Sequence, residues 1–416
     1  MTRQGNQTSE YDVIIVGARV AGSVFAYEMA KSGYKVLLLD RATFPSDTLS
    51  THNIYSNSIA MLREMGIMDR LLQTGTPLYN RAYIQFENAV IDGHFPEVDG
   101  SSDCFCIRRT HLDRILVEHA SAQPNVTTIE GFRVTDVTSE NGIITGIIGR
   151  AKDGVIRSFS SKLVVGADGR QSTIRKLVNS KRKLYVPSDF ASFVGYFSGF
   201  RQEGERCAEL YKKGDKLFIT FPTSDHLFVV GVMFPLEDKE WIQRFAAGSE
   251  TGFRDLVTAG LPGSSFSSRL QEAELFGQVK GMLGYDNDWY EEMGEGWALL
   301  GDALSFKDPA VGQGMHDAIY SSRILSGLLT ANKDWSSSWS GMGDAYQSAL
   351  ESKMMTRFGL ACKFTKNIPI SKEENAVNHL IGSDPKATQA FLGIYNYANE
   401  PEAIAAAVAE FIGQHS

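Results

Sequence analysis

The stretch Tyr11-Asp-Val-Ile-Ile-Val16-Gly17-Ala-Arg19-Val-Ala-Gly22 decides the fold of this chain. Its first six residues are apolar and rich in β-branched side chains, the composition of a strand buried on both faces. Glycines at 17 and 22 interrupt the run, and residues 23–32 follow helical spacing with Phe25, Met29 and Ala30 inward. Gly33 ends that helix, and residues 35–39 form a second buried strand that closes at Asp40. The unit is strand–helix–strand, and the right-handed crossover makes it half of a doubly wound parallel sheet. A dinucleotide fingerprint asks for glycine at the first, third and sixth places of the turn, for the bend, the pyrophosphate approach and the helix–strand contact. Gly17 and Gly22 hold the first and sixth places, and Arg19 stands at the third. Asp40 lies 23 residues after Gly17, where a carboxylate can accept from a ribose 2′-hydroxyl and repel a 2′-phosphate. The pocket therefore suits FAD or NAD better than NADP, with a diphosphate over the start of the helix from about Ala21.

Around this unit the chain is ordinary in composition, 43% hydrophobic and 22% charged, and its 416 residues suffice for two or three packed lobes. A balance of 41 basic against 49 acidic residues gives −8, which argues against nucleic acid as a partner. The four cysteines, Cys104, Cys106, Cys207 and Cys362, lack metal-ligand spacing, and nothing resembles a secretory leader, so a reducing cytoplasm is expected. The most apolar stretch, residues 217–235, is interrupted by Thr223, Ser224, Asp225 and His226. It reads as a hairpin, and no transmembrane segment is predicted. Residues 1–10 read as a loose polar tail, and Thr110-His-Leu-Asp113 as a capping box opening a helix through His119. The expected organisation is a discontinuous α/β domain over 11–185 and 281–335, an inserted β-rich domain over 186–280, and a helical C-terminal region over 336–416. Nothing in the sequence specifies an oligomeric state.

Two further segments share the design of the first. Leu163-Val-Val-Gly166-Ala-Asp168-Gly169-Arg170 is a buried strand running into a tight acidic turn. Trp297-Ala-Leu-Leu-Gly301-Asp302 repeats that pattern and leads to Asp308-Pro309-Ala-Val-Gly312-Gln313-Gly314-Met315. Gly312 and Gly314 let backbone approach a flat ligand, and the helix that follows offers N–H groups to a negative oxygen.

In this order and spacing, the three segments resemble the FAD-dependent monooxygenases of the p-hydroxybenzoate hydroxylase type, over roughly residues 10–330. Flavin halogenases and geranylgeranyl reductases share the framework. The resemblance implies a Rossmann-like FAD-binding domain with an inserted, mainly β substrate domain. It assigns Gly17, Gly22 and Asp40, with Arg19 and Arg41 beside them, to the ADP half of FAD. Asp168 and Gly169 would belong to a motif contacting FAD and NAD(P)H, and Gly301 and Asp302 to the ribityl chain. Pro309, Gly312, Gly314 and Met315 would line the isoalloxazine, and Arg109 would stand near the ribityl and pyrophosphate. His316 replaces the Asn or Ser of many relatives. The implied activity is hydroxylation of an aromatic or polycyclic small molecule with NADH or NADPH and O2, through a flavin hydroperoxide shielded by the loop from Pro309. His52, in the loop after Asp40, is a candidate acid or base or hydrogen-bond partner, and Pro309 the candidate catalytic-loop residue.

Phe193, Tyr196, Phe218 and Phe221 of the inserted domain, with Asn287, Trp289 and Tyr290, are the candidate substrate contacts. A halogenase of this framework needs a lysine between the second strand and the inserted region, and after Lys35 the next lysine is Lys152. The tryptophans also fail to make the Trp-x-Trp-x-Ile-Pro motif of the indole halogenases. An ene-reductase of the geranylgeranyl reductase type shares the flavin motifs and stays open as the alternative. A flavin-holding sensor without catalysis is the reading from a different class, which reduction of the flavin by NAD(P)H would exclude.

Overall fold

A strand that is apolar on both faces is stable only inside a sheet covered on two sides, and the N-terminal unit is placed accordingly. The computed structural model describes residues 10–48, 50 and 52–415, so all but Glu10 of the expected N-terminal tail lies outside the described residues. The parallel strands lie side by side in the order Val126–Glu130, Val36–Asp40, Tyr11–Val16, Ile156–Gly166 and Trp297–Leu299. Strand order reverses between Tyr11–Val16 and Ile156–Gly166, and a doubly wound sheet opens its ligand crevice at such a point. The segments predicted to carry the site leave the carboxyl ends of Tyr11–Val16, Ile156–Gly166 and Trp297–Leu299. Helices Val20–Lys31 and Gly314–Ala331 are linked by a hydrogen bond from Ser322 Oγ to the Ala21 carbonyl at 2.9 Å.

A second sheet of seven strands stands beyond this edge. It runs Glu274–Leu283, Phe190–Ser198, Phe228–Pro235, Lys216–Pro222, Cys207–Lys213, Arg81–Phe86 and Ala89–His94. The expected hairpin over 217–235 is the antiparallel pair Lys216–Pro222 and Phe228–Pro235. The sheet of this domain is not confined to 186–280, because Arg81–Phe86 enters it by parallel pairing with Cys207–Lys213, a contact with no local signature. Within the β-rich span, residues 239–272 form helices Lys239–Ala247, Ser249–Gly260 and Ser265–Glu272.

Those helices cover one face of the second sheet, where Phe197, Phe218 and Phe234 meet Phe245, Phe253 and Phe266. Val194, Tyr196, Ile219 and Phe221 occupy the other face. The C-terminal region is helical as expected, in helices Trp339–Phe364, Lys372–Ser383, Pro385–Tyr395 and Glu402–His415. Ile381, Leu392 and Tyr395 join the same core as Tyr196 and Phe221, so this region walls the site-facing side of the sheet. Among the described residues no helix is long and apolar enough to cross a membrane.

The helix expected from Thr110 spans Arg109–Ser121, and its N-cap, Arg108, makes no side-chain cap. The capping box does not form. Asp113 is fully buried and takes two arginines instead.

Candidate active site

A cleft of about 600 Å³ opens between the carboxyl edge of the first sheet and the second sheet. Its floor begins at Gly17, whose φ of 105° suits glycine and whose Cβ would collide with the Ala167 carbonyl, so the first and second segments touch here. Gly22 is excluded from the lining by its own role: a Cβ there would strike the Gly17 carbonyl, the helix–strand contact expected of the sixth place. Asp40 accepts the Ala18 N–H at 2.7 Å and the Ala42 N–H at 2.8 Å, one on each carboxylate oxygen. That fixes the carboxylate in the cleft wall beside Arg41.

Arg19 explains the missing glycine. Its guanidinium pairs with Asp113, donates to Ser46 Oγ at 2.9 Å and lies 5.7 Å from the Phe44 ring. Arg109 takes the other oxygen of Asp113 at 2.8 Å. Both arginines line the cleft. One carboxylate between two guanidiniums leaves one net positive charge where the helix Val20–Lys31 begins, which reinforces that helix end as an anion site.

Asp168 also lines the cleft, but its oxygens are engaged locally by Ser172 Oγ at 2.5 Å and by the N–H groups of Thr173 at 2.6 Å and Ile174 at 3.2 Å. Burial nonetheless raises its pKa, against those hydrogen bonds. Gly169 completes the turn with φ 80°. Asp302 differs: it lines the cleft, and no hydrogen bond to its side chain is present among the described residues. Burial raises its pKa to about 6, with Arg109 and Arg170 opposing and Asp317 and Asp288 adding to the shift. Gly301 precedes it with φ 53°, its position closed in by Ala21 at 3.1 Å and Ala318 at 3.3 Å from a hypothetical Cβ.

The loop after Asp302 is held from both sides. Asp308 accepts from the Ala310 N–H at 2.8 Å and from Tyr285 Oη at 2.6 Å, and Pro309 starts a short 3-10 turn. Gly312 sits at φ 66°, with Tyr55 Oη 3.0 Å from where a Cβ would stand. Pro309, Gly312, Gly314 and Met315 all line the cleft. Pro309 carries no proton-transfer group, so it shapes the loop and performs no acid–base step. His316 is buried against Ser58 Oγ at 3.0 Å and Asn57 Nδ2 at 3.4 Å, and burial drives its pKa well down, so it is a local hydrogen bonder.

Of the two roles open to His52, the geometry supports the hydrogen-bond partner and not the acid or base. Its Nδ1 lies 2.5 Å from the Ser50 carbonyl, which can only accept, so Nδ1 carries the proton. Nε2 is then bare and accepts from Tyr196 Oη. Burial, seconded by Arg109, lowers the His52 pKa to about 3, so the ring is neutral at physiological pH and serves to hold Tyr196. The loop that carries it includes positions 49 and 51, which lie outside the described residues.

The aromatic candidates separate. Phe193 and Tyr196 are three residues apart on one strand, as are Phe218 and Phe221, and in a strand that separation selects opposite faces. Phe193 packs 4.0 Å from Phe245, and Phe218 lies against Gly260, both away from the cleft. Tyr196 and Phe221 face the site side without lining the cleft. Asn287 donates to the Val186 carbonyl at 3.0 Å and Thr365 Oγ1 at 3.2 Å, and Trp289 Nε1 to Glu292 at 2.7 Å; both are structural. Tyr290 underlies Arg175, 3.9 Å from its guanidinium. The second sheet instead contributes Ser192, Val194, Gly281 and Met282 to the cleft. Sequence reasoning also missed Asp113 and the buried Lys307–Asp317 pair, 2.8 Å apart, because no local pattern marks either.

The family described as FAD binding domain matches residues 10–338. A 1H-pyrrole-2-carbonyl-[peptidyl-carrier protein] brominase of Pseudoalteromonas luteoviolacea (strain 2ta16) is 24% identical over 342 residues, covering 79% of this chain and 80% of the relative. A 6-methylpretetramide 4-monooxygenase of Streptomyces rimosus is 23% identical over 319 residues, covering 74% and 72%. The structure of the flavin-dependent brominase Bmp2 superposes with a TM-score of 0.79 over 97% of this chain and 98% of that one, at 19% identity, a likeness of fold.

Proposed function

This chain belongs to the FAD binding domain family and is a flavin-dependent oxidoreductase of the monooxygenase and halogenase type, and on that premise we propose that it hydroxylates an aromatic or polycyclic small molecule with NAD(P)H and O2. The residues present fit FAD. Gly17 lets the first turn lie directly on the Ala167 backbone at the cleft floor, and the Asp302 carboxylate lines the cleft with no hydrogen-bond donor among the described residues. Asp40 would accept from the ribose, Arg19 and Arg109 would face the diphosphate, and Asp302 would take the ribityl hydroxyls. The backbone N–H groups at the start of Gly314–Ala331 would meet the pyrimidine edge. Bound FAD would supply the electron transfer and oxygen activation.

The substrate would lie between the loop 308–314 and the wall of Ser192, Val194, Gly281 and Met282. Gly281 pairs with Phe193, whose ring occupies the place of its Cβ on the face away from the cleft, so Gly281 meets the cleft through its backbone. The apolar side chains of Val194, Met282 and Phe306 in this lining suit an apolar ring. Tyr196, held by His52 behind Val194, stiffens that wall.

The observation that carries the choice of hydroxylation over halogenation is the absence of lysine from residues 36–151. Halogenation is the second reading, favoured by the brominase relative and by the fold shared with Bmp2. A substrate-panel screen under ¹⁸O-labelled O2, with bromide present, decides between them by product mass. One labelled oxygen in the product supports hydroxylation, and a bromine without label replaces it. Anaerobic saturation of a double bond with NAD(P)H would install the ene-reductase alternative. Failure of both NADH and NADPH to reduce the bound flavin would remove the nicotinamide from the reaction.

A further inference from the structure

The loop 308–314 is flanked by two buried polar residues, Lys307 and Gln313, and both reach residues of the C-terminal region. Lys307 Nζ donates to Gln313 Oε1 at 3.0 Å, which closes the two ends of the loop on each other. Gln313 Nε2 then donates to the carbonyls of Ile394 and Tyr395 at 3.2 Å each, at the end of helix Pro385–Tyr395. The next turn brings in Tyr397. Its hydroxyl accepts from Lys307 at 3.2 Å and donates to Asp317 Oδ1 at 2.7 Å, while Asp317 Oδ2 holds Lys307 at 2.8 Å. Every Lys307 ammonium proton thus has an acceptor, and both Asp317 oxygens have a donor.

Tyr397 adopts φ 65°, a left-handed conformation that costs a non-glycine residue free energy and persists only where its surroundings impose it. Those surroundings are evident. Arg357 lies 4.2 Å from the ring, donates to the Asn399 carbonyl at 2.8 Å and pairs with Glu400 at 2.8 Å; the His316 ring is 4.1 Å away. Asn396 fixes the turn from the other side through Ser56 Oγ and the Pro96 carbonyl. Lys307 and Asp317 both line the cleft, whereas Tyr397 lies beyond residue 338, where the family match ends.

We propose that Tyr397 is a positioning residue of the flavin loop, whose hydroxyl locks Lys307 and Asp317 and so sets the backbone of 308–314 before FAD binds. The inference rests on the flavin reading of the cleft. It makes the C-terminal helices part of the cofactor site.

The test compares wild type, Tyr397→Phe and Tyr397→Ala by FAD titration of the apoprotein and by amide hydrogen exchange without FAD. Tyr397→Phe keeps the ring against His316 and Arg357 and removes only the hydroxyl. The expected result is an FAD Kd raised on the order of tenfold in Tyr397→Phe, the equivalent of one charge-assisted hydrogen bond. Exchange in residues 305–314 speeds up in that variant, while residues 217–235 keep the wild-type rate. A Phe variant matching wild type in both measurements, with only Ala impaired, would reduce Tyr397 to a packing residue and overturn the proposal. Faster exchange throughout the chain would overturn it too, by assigning Tyr397 to global stability. A wild-type protein that takes up no FAD defeats the flavin reading instead, and the exchange measurement still decides whether the hydroxyl orders the loop.

Discussion

Asp113 is fully buried and gives one carboxylate oxygen to Arg19 and the other to Arg109. The residue that breaks the glycine fingerprint is thereby built into the cleft as a cation. Removing the carboxylate leaves two like charges side by side, partly exposed in the cleft, so the cost is smaller than the ~3–5 kcal/mol of a fully buried pair. Asp113→Ala is expected to lose about 1–3 kcal/mol of stability in urea unfolding. Arg19→Gly, which restores the fingerprint, should keep the fold and weaken FAD binding, because a positive charge leaves the diphosphate region. Stronger binding in Arg19→Gly would contradict the assignment.

Asp302 carries the clearest pH signature. Burial holds its proton to about 6 in the folded chain, against 3.8 ordinarily. Below 3.8 both folded and unfolded chains are protonated there, and between the two values only the folded one is. Ionisation above 6 therefore costs stability, so this group makes the apoprotein less stable as pH rises from 3.8 to about 6. Asp302→Asn should erase that contribution, as measured by thermal unfolding across the window. FAD affinity should also fall when the carboxyl is removed: Asp302→Ala is expected to lose ~1.5–3 kcal/mol of binding, more than His52→Ala. Equal FAD dissociation constants in those two variants would count against the ribityl role.

His52 acts in the opposite direction. Its folded pKa of about 3 lies below the ordinary 6.5, so acidification protonates the unfolded chain first. The stability it contributes is whole above 6.5 and is lost as pH falls toward 3. His52→Gln should blunt acid destabilisation over that range. A histidine NMR signal from this ring that titrates near neutrality would refute the buried, neutral assignment.

Phe218 and Tyr196, both first read as substrate contacts, should separate experimentally. Phe218→Ala opens a hole against Gly260 in the helix-covered face and should cost about 3–5 kcal/mol of stability with FAD affinity unchanged. Tyr196→Phe removes the hydroxyl that engages His52, and should leave FAD bound while a larger share of the reducing equivalents leaves as hydrogen peroxide. Peroxide yield per NAD(P)H consumed is the measurement, and an unchanged yield would detach the pair from catalysis.

What could be read beforehand was whatever the chain encodes locally. The unit from Tyr11 to Asp40 and the loop around Gly312 carry their geometry in consecutive residues, where buried strands, positive-φ glycines and a helix start are written side by side. Asp113 was legible as a residue and misread in role, because Thr110-His-Leu-Asp113 satisfies a local rule that a remote arginine overrides. Phe193 and Phe218 fall on the opposite face from Tyr196 and Phe221, and nothing local tells which face of the second sheet meets the site. Lys307, Asp317 and Tyr397 could not be assembled at all, since their meeting depends on how the last helices dock and no periodicity records that.

The parallel pairing of Arg81–Phe86 with Cys207–Lys213 has a consequence for how the protein is made. During synthesis the chain emits Tyr11–Val16 and its neighbour Val36–Asp40, then two strands of the second sheet, and only later Ile156–Gly166, which pairs with the other edge of Tyr11–Val16. Arg81–Phe86 must in turn wait for Cys207–Lys213. Neither lobe can close while only its first segments have left the ribosome, and both depend on contacts distant in sequence, the kind that fold slowly and expose unpaired strand edges meanwhile. Expression of residues 186–280 alone would omit a pairing partner of the sheet, so the two lobes mature as one unit.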